Sequence, residues 1–186
     1  MKNLVVIGLL LCFGVKAQEK KYVNAFKNKQ LINAQTAVIP EGFDFTIMHR
    51  FGKIGLDDRV YKDFFGFDST ANIRFSLSYK LNDRLYFGVG RTKIGKTIDI
   101  EGKYVLLKQT ADNNSPLNVA VFNNTGINTE PFNNYGPNAF FSDSITPFEN
   151  TFSHRVSYTT ELILSRKFSD NLSLQISPTM AYKNLV

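Results

Sequence analysis

An all-β, antiparallel up-and-down transmembrane β-barrel, with about seven strands present, is the fold class the 186-residue sequence predicts. Three observations predict it. Several segments alternate apolar and polar residues over ten or more positions. The best-patterned of them are joined by tight polar turns, and beyond the opening residues no apolar run approaches the roughly 20 residues a spanning helix needs.

The chain opens with Lys2, an apolar run from Leu4 to Val15, and Lys16-Ala17-Gln18. This is the pattern of a secretory signal, with cleavage expected after Ala17. The reading divides the chain into a signal peptide at 1–17, a soluble periplasmic leader at 18–41 and a barrel at 42–186. Cys12 is the single cysteine; the bulky Leu11 before it disfavours a lipoprotein signal, so cleavage leaves no thiol for disulfides or catalysis. Losing residues 1–17 removes Lys2 and Lys16 and no acid, so the formal charge falls from +6 to +4. No Lys/Arg block stands out, which argues against nucleic-acid binding.

Strict alternation is clearest from Asn72 to Asn82, where Ile73, Phe75, Leu77, Tyr79 and Leu81 oppose Arg74, Ser76, Ser78 and Lys80. Arg155 to Phe168 repeats it, with Ile163 interrupting the polar parity and Thr160 and Arg166 the apolar one. Leu172 to Lys183 does so again, with Pro178 inside the run as a missing ladder donor. Shorter runs are Phe43 to Phe51, Leu85 to Gly90, Ile98 to Leu106, and a short strand over Leu117, Val119 and Val121. Strands of ten residues exceed the usual ~5 to 6 of soluble sheets and match the ~9 to 11 of a tilted membrane strand.

Asn82-Asp83 and Ser169-Asp170-Asn171 read as tight hairpin turns, which face the periplasm in outer-membrane barrels. Counting alternately then puts Gly52 to Gly66, Thr92 to Lys96 and Asn123 to Phe152 outside, and Gln109 to Ser115 inside. The aperiodic stretch from Asn123 supplies outward-loop candidates Phe132, Tyr135, Phe140, Phe141 and Phe148, expected at the membrane interface or in loop packing. Seven strands is an odd number where single-chain bacterial barrels use an even one, and the end lacks a terminal aromatic, so further strands are expected beyond Val186.

The polar parity carries Arg50, Arg74, Lys80, Asp99, Glu101, Lys103, Arg155, Glu161, Lys167 and Lys183. A cation facing lipid near mid-plane costs roughly 2 to 4 kcal/mol, so these are predicted to face an enclosed interior. Their mixed signs fit either a lumen crosslinked by ion pairs or a wet pore. With two histidines, His49 and His154, a His-rich metal site is not expected. His154 has the opposite parity to Ser157 and Glu161, so a local hydrolase constellation fails. The spacing in GVGRTKIGK lacks the following helix a phosphate site needs.

Several stretches resemble a Bacteroidota family of outer-membrane-like β-barrels of unknown function: FKNKQLINAQ (26–35), FTIMHRFG (45–52), FGFDSTANIRFSLSYKLNDRLYFGVGR (65–91), GKYVLLKQT (102–110) and LSLQISPTMAYKNLV (172–186). The MHRFG and FGFDS elements are the most specific. The resemblance implies a signal-bearing outer-membrane barrel with no established reaction, and members longer at the carboxyl end. At Thr36-Ala37 this chain departs from an expected small hydroxyl residue followed by Val and an acid.

The functional expectation is a non-enzymatic, porin-like channel, uptake component or surface scaffold of a Gram-negative outer membrane. No cofactor, metal or catalytic residue is expected. The expected partners are outer-membrane lipid, the barrel assembly machinery and an unidentified solute or protein. Two alternatives are a lipid-modifying barrel enzyme and a secreted soluble barrel that binds a small apolar ligand.

Overall fold

A computed structural model describes residues 21–31, 34–50, 72–130 and 152–183. The Phe132, Tyr135, Phe140, Phe141 and Phe148 candidates and the signal segment lie outside the described residues. Two short strands come first, β1 (Gln30–Leu31) and β2 (Ala34–Gln35), paired antiparallel. The main sheet follows: β3 (Phe43–Arg50), β4 (Asn72–Asn82), β5 (Leu85–Thr92), β6 (Thr97–Leu107), β7 (Asn118–Asn128), β8 (Val156–Lys167), β9 (Ser173–Ile176) and β10 (Thr179–Lys183). Each strand pairs antiparallel with its sequence neighbour in an up-and-down meander, and β9 and β10 both pair with β8.

β9 and β10 are two halves of one crossing. Ile176 lies opposite Leu164 and Thr179 opposite Glu161, so the register passes unshifted across Ser177-Pro178. The Pro178 carbonyl accepts from the Leu162 amide at 3.0 Å. Only the reciprocal bond is absent, because proline has no N–H to give. The described crossings therefore number seven, as the alternation predicts, and β3 and β10 form the sheet's two edges.

β7 corrects the expected short strand: it runs for 11 residues, through Asn123, Asn124 and Thr125. A central strand can be polar where its neighbours supply both ladders and side-chain partners. Asn123 Nδ2 donates to Thr160 Oγ1 at 2.9 Å and Asn124 Nδ2 to Asp99 Oδ2 at 3.0 Å. The segment expected as a loop from Asn123 thus begins as strand. The turn expected at Thr92 to Lys96 holds a short 3₁₀ turn, Ile94–Lys96.

Burial is inverted relative to a soluble protein. Phe45, Ile47, Phe75, Leu77, Phe87, Val89, Ile98 and Ile100 stand exposed on the outer face. Arg74, Ser76, Ser78, Asp99, Glu101, Lys103, Glu161 and Ser165 are buried on the other. This is the distribution of a sheet whose apolar face meets lipid, and the reverse of a dry sandwich centre. At the tight-turn end Phe43, Tyr79 and Phe87 lie in one cross-strand row, with the Phe43 and Tyr79 rings 4.5 Å apart. Such a row suits the boundary between hydrocarbon and water.

Depth along the outer face sets a testable gradient. Leu77→Arg, mid-strand, is expected to destabilise the protein in lipid vesicles by about 2–4 kcal/mol, and Leu81→Arg near the turn by about 0–1 kcal/mol. Denaturant titration of the vesicle-inserted protein reads both, and equal costs would contradict the assignment of this face to lipid.

Candidate functional site

The segment expected as a soluble leader instead threads the inside of the sheet over its described residues. Its start is fixed at the tight-turn end, where Val23 N–H donates to the Gln109 carbonyl at 2.9 Å and Ala111 N–H to the Lys21 carbonyl at 3.0 Å. Asn118 Nδ2 adds a bond to the Val23 carbonyl at 3.2 Å. The chain climbs through β1, reverses, and returns through β2 to Pro40 and the start of β3. Thr36 staples the hairpin: its amide donates to the Lys29 carbonyl at 3.0 Å and its hydroxyl to the Asn28 carbonyl at 2.5 Å.

This hairpin touches strands from both edges of the sheet. Lys29 Nζ lies 2.6 Å from Asp44 Oδ2 on β3, and Gln175 Nε2 on β9 donates to the Gln35 carbonyl at 2.6 Å. One narrow segment reaches both edges only because the sheet curls around it. Ala37 joins Tyr86, Val105, Ala120, Phe122 and Ile163 in a small apolar cluster, with Ile39 packed against it. This cluster explains one break in the alternation: Ile163 is apolar on the polar parity because it packs with Ala37 of the same chain's hairpin.

Around the hairpin the charged side chains form one network. Lys29 Nζ donates to Ser78 Oγ at 2.6 Å, and Ser78 Oγ donates to Glu101 Oε1 at 3.1 Å. Arg74 makes a two-pronged contact with Asp99, through Nε and Nη2, and Nη2 also reaches Glu101 Oε2 at 2.8 Å. Lys103 Nζ donates to the Lys29 and Val38 carbonyls at 2.9 and 3.4 Å, and sits over the Tyr86 ring. Lys29 and Lys103 thereby bind the hairpin to the wall from opposite directions.

Gly88 and Gly90 make room for this network on β5. A Cβ at Gly88 would lie 2.9 Å from Glu101 Cγ and from Ser78 Oγ; one at Gly90 would lie 2.6 Å from Asp99 Oδ2 and 2.7 Å from Arg74 Nη2. The carboxylates and guanidinium cross the space that side chains here would fill.

The ten predicted interior residues divide. Arg74, Asp99, Glu101, Lys103 and Glu161 are buried on the inner face. Lys80 and Lys167 sit at the rim, paired with Asp83 at 2.6 Å and Asp170 at 2.8 Å, and each holds its carboxylate below the usual range by hydrogen bond and charge. Arg155 precedes β8 in a 3₁₀ turn, and its Nη1 donates to the Asn128 and Glu130 carbonyls at 3.1 and 2.9 Å, fastening the end of β7. Lys183 is exposed on the edge strand. Arg50 ends β3 opposite Asn72, its side chain outside the description. His154 shares the 3₁₀ turn with Arg155, outside the strand that carries Ser157 and Glu161; His49 is exposed on the outer-face parity of β3.

Lys29, Gln35 and Tyr86 are site residues that alternation does not reveal. The available signals were two inward glycines on one strand and acids needing a cation from elsewhere. Beyond the hairpin, toward Asn72, Thr92 and Thr97, lies a cavity of about 690 Å³, lined by Gln30, Ala34 and Gln35 of the hairpin and by the charged wall. Among the described residues no group of three or more potential metal-ligating side chains converges.

A curled meander, apolar outside and polar within, filled by its own amino-terminal hairpin, defines a membrane β-barrel. The family comparison agrees: the chain belongs to the membrane bound beta barrel domain family (DUF5777), whose model matches residues 26–186. The matched span thus takes in the hairpin from Phe26 onward. No curated protein and no solved structure matches the chain.

Two substitutions test the interior. Arg74→Ala, which strands Asp99 and Glu101 without their guanidinium, is expected to cost about 3–5 kcal/mol in the same vesicle titration. Gly90→Val, which drives a side chain between Asp99 and Arg74, is expected to cost about 1–3 kcal/mol.

Proposed function

We propose that the protein is a non-enzymatic outer-membrane barrel in which residues 21–41 are an internal plug, and that it serves as an uptake component rather than as a permanently open channel. Export by residues 1–17, insertion by the barrel assembly machinery and contact with outer-membrane lipid belong to this reading. The observation that carries it is the hairpin's bonding to both sheet edges, through Asp44 and Gln175. In an outer-membrane barrel the short turns face the periplasm. The plug then enters from the periplasm and the cavity lies toward the outer half, where it receives a solute.

A plugged interior predicts little steady ion flow. Mixed charge supports this too, since Lys29, Arg74 and their carboxylates neutralise each other instead of presenting a one-signed ring of the kind that sets ion selectivity. We propose no reaction: the position of His154 ahead of β8 gives no support to a base for Ser157.

Planar-bilayer recording on the full-length protein tests the plug. The wild type is expected to show no steady conductance. Lys29→Glu, which sets a third carboxylate beside Asp44 and Glu101, and deletion of residues 26–39 are each expected to open it. Steady wild-type conductance that neither change alters would overturn the reading.

A further inference from the structure

We infer that the cavity beyond the plug binds a small hydrophilic organic cation, with the Glu161 carboxylate as its anchor. This inference rests on the solute-binding reading above and specifies the solute's chemistry. Glu161 is 6% exposed and lines the cavity, yet it makes no hydrogen bond or ion pair among the described residues. Every other described carboxylate of the inner wall is satisfied: Asp44 by Lys29, Asp99 by Arg74 and Asn124, Glu101 by Arg74 and Ser78.

The nearby cations are already committed. Arg74 spends Nε and Nη2 on Asp99 and Glu101, and Lys103 points its ammonium at two backbone carbonyls. Among the described residues Lys29, Arg74 and Lys103 face four carboxylates, and Glu161 is the one of the four without a direct hydrogen bond or ion pair. A buried carboxylate with no partner is costly, and a cationic ligand removes that cost on binding. An anionic solute would meet the Glu161 carboxylate, with the Arg74 guanidinium and the Lys103 ammonium already engaged.

Size and lining set the rest of the ligand's character. A space of about 690 Å³ falls in the range that accommodates small organic molecules and greatly exceeds a bare ion. Asn124, Ser157, Thr159 and Thr179 surround Glu161 with amide and hydroxyl groups. Thr179 sits directly opposite it on β10, and Phe122, whose ring lies 5.9 Å from the Lys103 ammonium, opposite it on β7. This wall suits a primary ammonium on a hydroxylated frame, which takes its charge pairing from Glu161 and its hydrogen bonds from the side chains around it.

Calorimetric titration of the full-length protein in detergent micelles with glucosamine, and with N-acetylglucosamine as the neutral match, tests this. Glucosamine is expected to bind at least tenfold more tightly than N-acetylglucosamine, and Glu161→Gln, which keeps the side-chain shape, to lose at least that factor. Glu130→Gln, the same substitution at an exposed position outside the cavity lining, is expected to retain the preference for the amine. Equal binding of the two sugars, unchanged binding by Glu161→Gln, or no binding of either glucosamine or putrescine would overturn the inference. The two readings fail separately. A closed wild type that binds neither amine sinks the cation site alone, and a steadily conducting wild type sinks the plug whatever the calorimetry shows.

Discussion

The interior of this barrel is governed by the need to neutralise carboxylates that the strand pattern places away from water. Asp99 and Glu101 are two positions apart on β6 and so share its inner face. Arg74, two strands away, spans both, and its planar fork can do so where a single ammonium could not. Gly88 and Gly90 on the intervening strand β5 let the guanidinium pass over the backbone to reach them. Strip either glycine and the neutralisation fails on sterics; strip the arginine and it fails on charge.

Arg74 does not finish the task, and the remainder is supplied by the amino-terminal hairpin. Lys29 reaches Asp44 and comes within 3.8 Å of Glu101, while Ser78 relays a hydrogen bond between them. The hairpin's own backbone then needs partners. Lys103, Gln175 and Asn118 provide them from three different strands. Wall and hairpin therefore satisfy each other. Neither surface would be complete alone, because buried polar groups without partners cost more than the bonds they forgo.

The strands were legible because a two-residue period is local: Asn72 to Asn82 declares its two faces without reference to anything else. Even Pro178 misled only in suggesting a break, since its carbonyl stays in the ladder. The hairpin was not legible for the opposite reason. Lys29 finds Ser78 49 residues away and Gln35 finds Gln175 140 residues away, and no periodicity encodes such meetings. Residues 21–41 look like a polar leader when read alone. β7 was underestimated on similar grounds, because Asn123 and Asn124 are poor strand formers until Thr160 and Asp99 stand beside them. Of the candidate site, Arg74, Asp99, Glu101 and Glu161 could be placed inside from parity alone, but not which of them would be paired.

That distinction separates structure from recognition within one polar surface. Glu101 and Glu161 are the same side chain, both almost fully buried, on adjoining parts of one wall. Glu101 is crossed by an arginine and a serine and serves to hold the fold. Glu161 has the apolar Phe122 on one side and Thr179 on the other in the ladders, and neither brings a charge. Lys103, beyond Phe122 on β6, is the cation on that side, but it gives its hydrogen bonds to the hairpin's Lys29 and Val38 carbonyls. Because no described side chain bonds that carboxylate directly, and it lines the part of the interior the hairpin does not fill, the geometry points to a partner brought from outside.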